Sequence, residues 1–68
     1  MIEDDQQLAV TLERIRWFQE QLAQLRRTEA NPVNYRASSA GFLAEIDRMQ
    51  REAREFLSAH PTELAGVA

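Results

Sequence analysis

Between Leu8 and Leu25 the apolar positions are Leu8, Leu12, Ile15, Phe18, Leu22 and Leu25, at spacings of 4, 3, 3, 4 and 3 residues. That period traces one face of an α-helix and fits no strand. Asp4 or Asp5 supplies an N-cap and negative charge to the first turn. Arg26 and Arg27 set positive charge against the C-terminal end of the helix dipole. The spacing predicts a first helix over about residues 4–28.

A second stripe follows at Phe42, Ile46, Met49, Ala53 and Phe56, with spacings of 4, 3, 4 and 3. Leu43 and Leu57 widen it on one side. Polar positions of the same segment carry opposite charges three or four residues apart: Glu45 with Arg48, Asp47 with Arg51, Arg48 with Glu52, and Arg51 with Glu55. Pairs at that spacing suit the solvated side of a helix. Upstream, Asn31-Pro32 breaks the first helix and starts the second, with Asn31 as N-cap and Pro32 at the first helical position. A later start at Ser38 or Ser39 is the alternative, since serine also caps and Gly41 weakens a helix. The earlier start is preferred, giving a turn over about residues 29–31, a second helix over about 32–60 ended by His60-Pro61, and a short tail over 61–68.

So short a turn between two helices of similar length makes them antiparallel neighbours. The fold class is therefore all-α, a two-helix antiparallel hairpin of coiled-coil character. Pairing around the turn sets Phe18 near Phe42, Ile15 near Ile46, Leu8 near Ala53 and Leu22 near Ser39. Small residues from Ala37 to Gly41 then lie where Phe18, Leu22 and Trp17 need room.

Composition sharpens this picture. At 68 residues the chain is a single domain, because two would leave neither with an interior. Cysteine is absent, so no disulfide or thiolate zinc site compensates for small size, and better packing or self-association must do so. Two helices sharing one seam also leave apolar residues over. Val10, Leu12, Trp17, Leu43 and Leu57 are expected to form together a second apolar surface that a monomer leaves wet. An antiparallel four-helix bundle made by two copies buries it, so a homodimer is expected, and the same surface suits a different protein partner. The plainer alternative folds Trp17 back over the seam or under the tail.

Chemistry is scarce. His60 is the sole histidine. Next to Pro61 at a helix end it reads as a terminal residue near free carbonyls rather than a metal ligand. The carboxylates fall beside arginines on solvated faces, and phosphate loops and nucleophile-base sets are missing. No catalytic residue, cofactor or metal is expected, and the chain is read as no enzyme. All eight basic residues are Arg and the net charge is -3, which disfavours general nucleic-acid binding. Arg26, Arg27 and Arg36 gather at the turn end and offer an anion or partner contact; a nucleic-acid-associated regulator acting through them is the rival reading. The plainer account has the first two complementing the helix dipole. No run approaches the roughly 20 apolar residues of a membrane span, and an acidic N-terminus is unlike a signal peptide, so a cytoplasmic location with no membrane contact is expected.

The pattern Met1-Ile2, Gln7-Leu8, Thr11-Leu12, Phe18, Leu22, Leu25, Asn31-Pro32, Phe42-Leu43, Ile46, Phe56-Leu57 and His60-Pro61 resembles small bacterial helical-hairpin proteins. These are similar to the hairpin that precedes the helix-turn-helix domain of antitoxin-type regulators. The resemblance covers almost the whole chain. It implies a toxin-antitoxin or related regulatory setting, in which the hairpin contacts its own copy or a toxin-like protein. The chain has no DNA-reading helix of that family, so no functional residue is carried over.

Overall fold

The computed structural model describes residues 1–62. Two helices make up the fold, α1 over Asp5–Thr28 and α2 over Pro32–Leu57, with no strand among the described residues. Asp4 caps α1: its carboxylate accepts from the Gln7 amide at 2.7 Å, and the Gln7 side chain in turn accepts from the Glu3 amide at 2.8 Å. This reciprocal arrangement satisfies donors that a helix start otherwise leaves open. The far end closes through the Glu29 amide onto the Leu25 carbonyl at 2.9 Å.

The connection is tight. Asn31 Oδ1 accepts from the Val33 and Asn34 amides at 2.9 and 3.4 Å, and Pro32 occupies the first turn of α2, where a missing N–H costs nothing. Helix α2 therefore begins at the earlier of the two starts weighed from sequence. It ends earlier than expected, at Leu57 instead of residue 60. Pro61 has no N–H for the Leu57 carbonyl and disfavours helical backbone at the residue before it. Ser58 Oγ turns back to the Glu55 carbonyl at 2.7 Å and finishes the helix. The backbone is helical again at Pro61 and Thr62, and the Thr62 amide donates to His60 Nδ1 at 3.1 Å. The rest of the tail, residues 63–68, lies outside the described residues.

The helices meet along one seam. Ile15, Ile46 and Met49 form its buried centre, with Phe18 and Leu22 packed against them. Phe18 and Phe42 meet edge to face, their ring centroids 5.7 Å apart, a favoured aromatic geometry. The expected pairings of Phe18 with Phe42 and Ile15 with Ile46 are thus present. Ala53 and Ser39 are buried farther along, and Ser39 Oγ donates to the Arg36 carbonyl at 3.3 Å, so its hydroxyl is satisfied within its own helix. Of the small residues from Ala37 to Gly41 only Ser39 faces the seam; the others are exposed, and a methyl added at Gly41 meets nothing within 4 Å. The run of small residues does not make a slot for Trp17. Its 3.6-residue period carries most of it away from α1.

The molecule measures 53 × 16 × 13 Å with a radius of gyration of 15.8 Å, against about 11 Å for a compact domain of this length. It is a rod one layer thick. No large described side chain is fully sealed from water.

Two expectations follow. Ile46→Asp sets a charge into the seam centre of a fold whose whole stability is a few kcal/mol, and far-UV circular dichroism should show most of the helix lost. Gly41→Ala should raise stability by about 0.5–1 kcal/mol, because the site is helical, has φ below zero and has open space for the methyl. A thermal melt in which Gly41→Ala lowers the midpoint contradicts that placement.

Candidate interaction surfaces

All five apolar residues left over from the seam are exposed: Val10 49%, Leu12 48%, Trp17 54%, Leu43 48% and Leu57 64%. Trp17 neither folds over the seam nor hides among the described residues. Its ring stands edge-on to the neighbouring Phe18 with centroids 5.2 Å apart, and more than half of the residue faces water.

They do not, however, make one surface. Each helical residue advances the side-chain direction by about 100°. On α1, Val10 and Trp17 are seven residues apart and nearly eclipsed, whereas Leu12 points about 140–160° away from both. The seam face of Ile15 and Phe18 lies between these directions. Arg14 shares the flank of Val10 and Trp17, and its charge is felt by Glu45 of α2. The Val10–Trp17 flank of α1 therefore adjoins the Glu45–Glu52 flank of α2. On α2, Leu43 and Leu57 lie on the other side of the Ile46–Met49 stripe from Glu45 and Glu52, which puts them with Leu12. The expected single patch is two: an aliphatic flank drawn from both helices, and an aromatic flank drawn from α1 alone.

The aromatic flank is bordered by ions. Arg48 hydrogen-bonds to Glu45 and to Glu52, the latter at 3.0 Å. The hydrogen bond from Arg48 holds the Glu45 carboxyl below its ordinary pKa; desolvation opposes this, and the charges of Arg48 and then Arg14 add to the lowering. Arg48 is shifted upward in the same way, first by its hydrogen bond to Glu45 and then by that carboxylate's charge. Arg16 and Glu20 pair at 3.7 Å on α1. The aliphatic flank differs in having no ion pair between its leucines among the described residues: neutral Gln50 lies between Leu43 and Leu57, neutral Gln19 follows Leu12 by seven residues, and exposed Arg54 stands beside Leu57.

At the open end, Met1, Ile2, Glu3, Glu52, Glu55, Phe56 and Ala59 line a shallow cleft of about 480 Å³. Ile2 is buried there, and the N-terminal amine stands 3.9 Å from Glu52. Sequence periodicity passed over Ile2 because it precedes the helix; its signal was an apolar residue just ahead of the capping aspartate. At the opposite end Arg26, Arg27 and Arg36 are all exposed, with no ion pair found for them among the described residues. Arg27 points away from the direction shared by Arg26 and the aliphatic flank, so the three do not converge on one point. Among the described residues no group of three or more His, Cys, Asp or Glu side chains is placed to hold a metal ion. No helix there is long and apolar enough to cross a membrane.

Compared with protein-family models, curated proteins and solved structures, the chain matches none.

The ion cluster yields a prediction. Glu45 has a folded-state pKa below its unfolded one, so its stabilising contribution is present above the unfolded value and is lost as pH falls through the lowered one. Thermal melts should show a small acid-induced loss below the ordinary carboxylate range, diminished in Glu45→Gln. Arg48→Ala should move the midpoint at neutral pH by a few degrees at most, since exposed pairs contribute little.

Proposed function

We propose that this chain is a non-catalytic protein-interaction module, an antitoxin-like or regulatory helical hairpin that self-associates into a four-helix bundle and holds a second protein, in a cytoplasmic setting. The observation that carries this reading is how much of the rod stays wet. Its accessible surface is 5556 Å², about 1,100 Å² more than the roughly 4,400 Å² of a compact monomer of 7.8 kDa. That excess is the size of one partner's share of a standard protein interface, about 800 Å². Among the side chains that contribute to it are four sizeable apolar ones inside the helices, Val10, Leu12, Trp17 and Leu43, where neither chain ends nor loops account for their exposure, and Leu57 joins them at the last residue of α2.

Partner burial gives such residues a thermodynamic reason. One seam set against the ordering of about 60 residues, each costing roughly 1.5 kcal/mol, leaves a balance near zero, and association adds the missing burial. The resemblance to antitoxin hairpins supports a toxin-like protein as the second partner, and a toxin-like gene beside this one would add to that support.

If the bundle forms, the melting midpoint rises with protein concentration, because the stability of an obligate dimer is inseparable from protomer concentration. Melts across a hundredfold concentration range, paired with sedimentation equilibrium, test this. A folded 7.8 kDa monomer whose melting ignores concentration would exclude self-association.

A further inference from the structure

We propose that the aliphatic flank, Leu12 with Leu43 and Leu57, is where the second copy of this chain docks, and that the Trp17 flank stays open in the dimer. This inference rests on the self-association reading above and adds the face and the register. Three observations favour it.

The aliphatic flank is built by both helices, so a second hairpin can lie across the whole layer. The Trp17 flank offers apolar atoms from α1 only, and its α2 side carries the hydrogen-bonded Glu45, Arg48 and Glu52. Covering those charges costs desolvation that an exposed pair never incurs.

The spacing is also that of a helix-packing seam. Leu43, Gln50 and Leu57 recur every seven residues on α2, as Leu12 and Gln19 do on α1. A heptad repeat keeps one stripe facing a partner helix.

Finally, the flank is complementary to itself. Phe18 lies level with Phe42, and Ile15 with Ile46, which fixes how far along the rod each residue sits. Leu43 is then level with about Trp17, a turn and a half from Leu12. A two-fold axis lying in the interface midway between the levels of Leu12 and Leu43 brings Leu12 to the level of Leu43 in the second copy. The same operation lays α1 on α1 and α2 on α2 of the second copy, bringing Gln19 level with Gln50 on the diagonal helix and Asp5 within about half a turn of Arg26 on the facing one. Apolar residues meet at the centre, amides beside them and opposite charges at the rim, as an isologous interface requires.

The test is sedimentation equilibrium on the full chain, with circular dichroism at the same concentrations. Leu12→Glu and Leu43→Glu should each raise the dimer dissociation constant about 30-fold or more. Trp17→Glu should leave it within about threefold, the range expected outside an interface. Acrylamide should quench Trp17 fluorescence equally in dimer and diluted monomer. Asp5→Arg and Arg26→Asp should each weaken association, and the double variant should recover it. Because neither residue lies in the seam, this exchange decides the matter even if the glutamate variants unfold. A dimer that survives Leu12→Glu and Leu43→Glu but is lost in Trp17→Glu overturns the face while leaving self-association intact, and failure of the exchange to restore binding overturns the register. A chain that is monomeric at every concentration removes the self-association reading itself.

Discussion

A seam one side chain wide holds this molecule together. Ile15 of α1 meets Ile46 and Met49 of α2, and the Phe18 and Phe42 rings lock edge to face beside them. With only two helices there is no second layer to close over these residues, so each is a single side chain from solvent. Everything else follows from that thinness. The caps at Asp4 and Asn31 matter more than they would in a larger protein, because each supplies a larger fraction of a small total. The ion pairs of Arg48 border the seam without sealing it, and Ser39 occupies a seam position only because its hydroxyl is satisfied by its own helix.

The helices, their order, the Asn31-Pro32 start and the central pairings were legible in the sequence, because a 3.6-residue period and a proline-marked turn are local signals. Three features were not. The end of α2 at Leu57 depends on which carbonyl Pro61 leaves without a donor, and counting apolar positions does not weigh that. Ile2 lies outside any periodic segment and is buried only because the open end of the hairpin brings the N-terminus alongside Phe56. The division of the exposed residues into two flanks was missed for a different reason. All five lie off the stripe, but a stripe has two sides, and Leu12 and Trp17 leave it in opposite directions. The angular arithmetic needed to separate them was already in the sequence. What only the structure added was the nearness of Arg14 on α1 to Glu45 on α2, close enough for its charge to be felt there, which shows how the flanks of the two helices match.

A two-sided rod also changes how partners relate to one another. If one flank joins copies and the other receives a different protein, the two events need not compete for the same atoms, and a dimer would present two receiving flanks on its outer sides. Linked sites of that kind raise apparent affinity for a two-headed partner without any new contact. The charges around Trp17 then become determinants of choice, since a partner seated there must answer Glu45 and Glu52 as well as the indole.

The Asn31-Pro32 turn has a consequence for the order in which the molecule assembles. Contacts nearer the turn join residues closer in sequence, Phe18 with Phe42 among them, while those at the open end join Ile2 to the neighbourhood of Phe56 across almost the whole chain. The entropy of closing a loop grows with its length, so the near contacts form at lower cost and each shortens the loop the next must close. The hairpin accordingly zips from the capped turn outward, on the fast timescale of helical proteins rich in local contacts. By the same reasoning opening is expected to run in reverse, from the end that carries Met1, Ile2 and Ala59 toward the aromatic pair at mid-hairpin and then the turn.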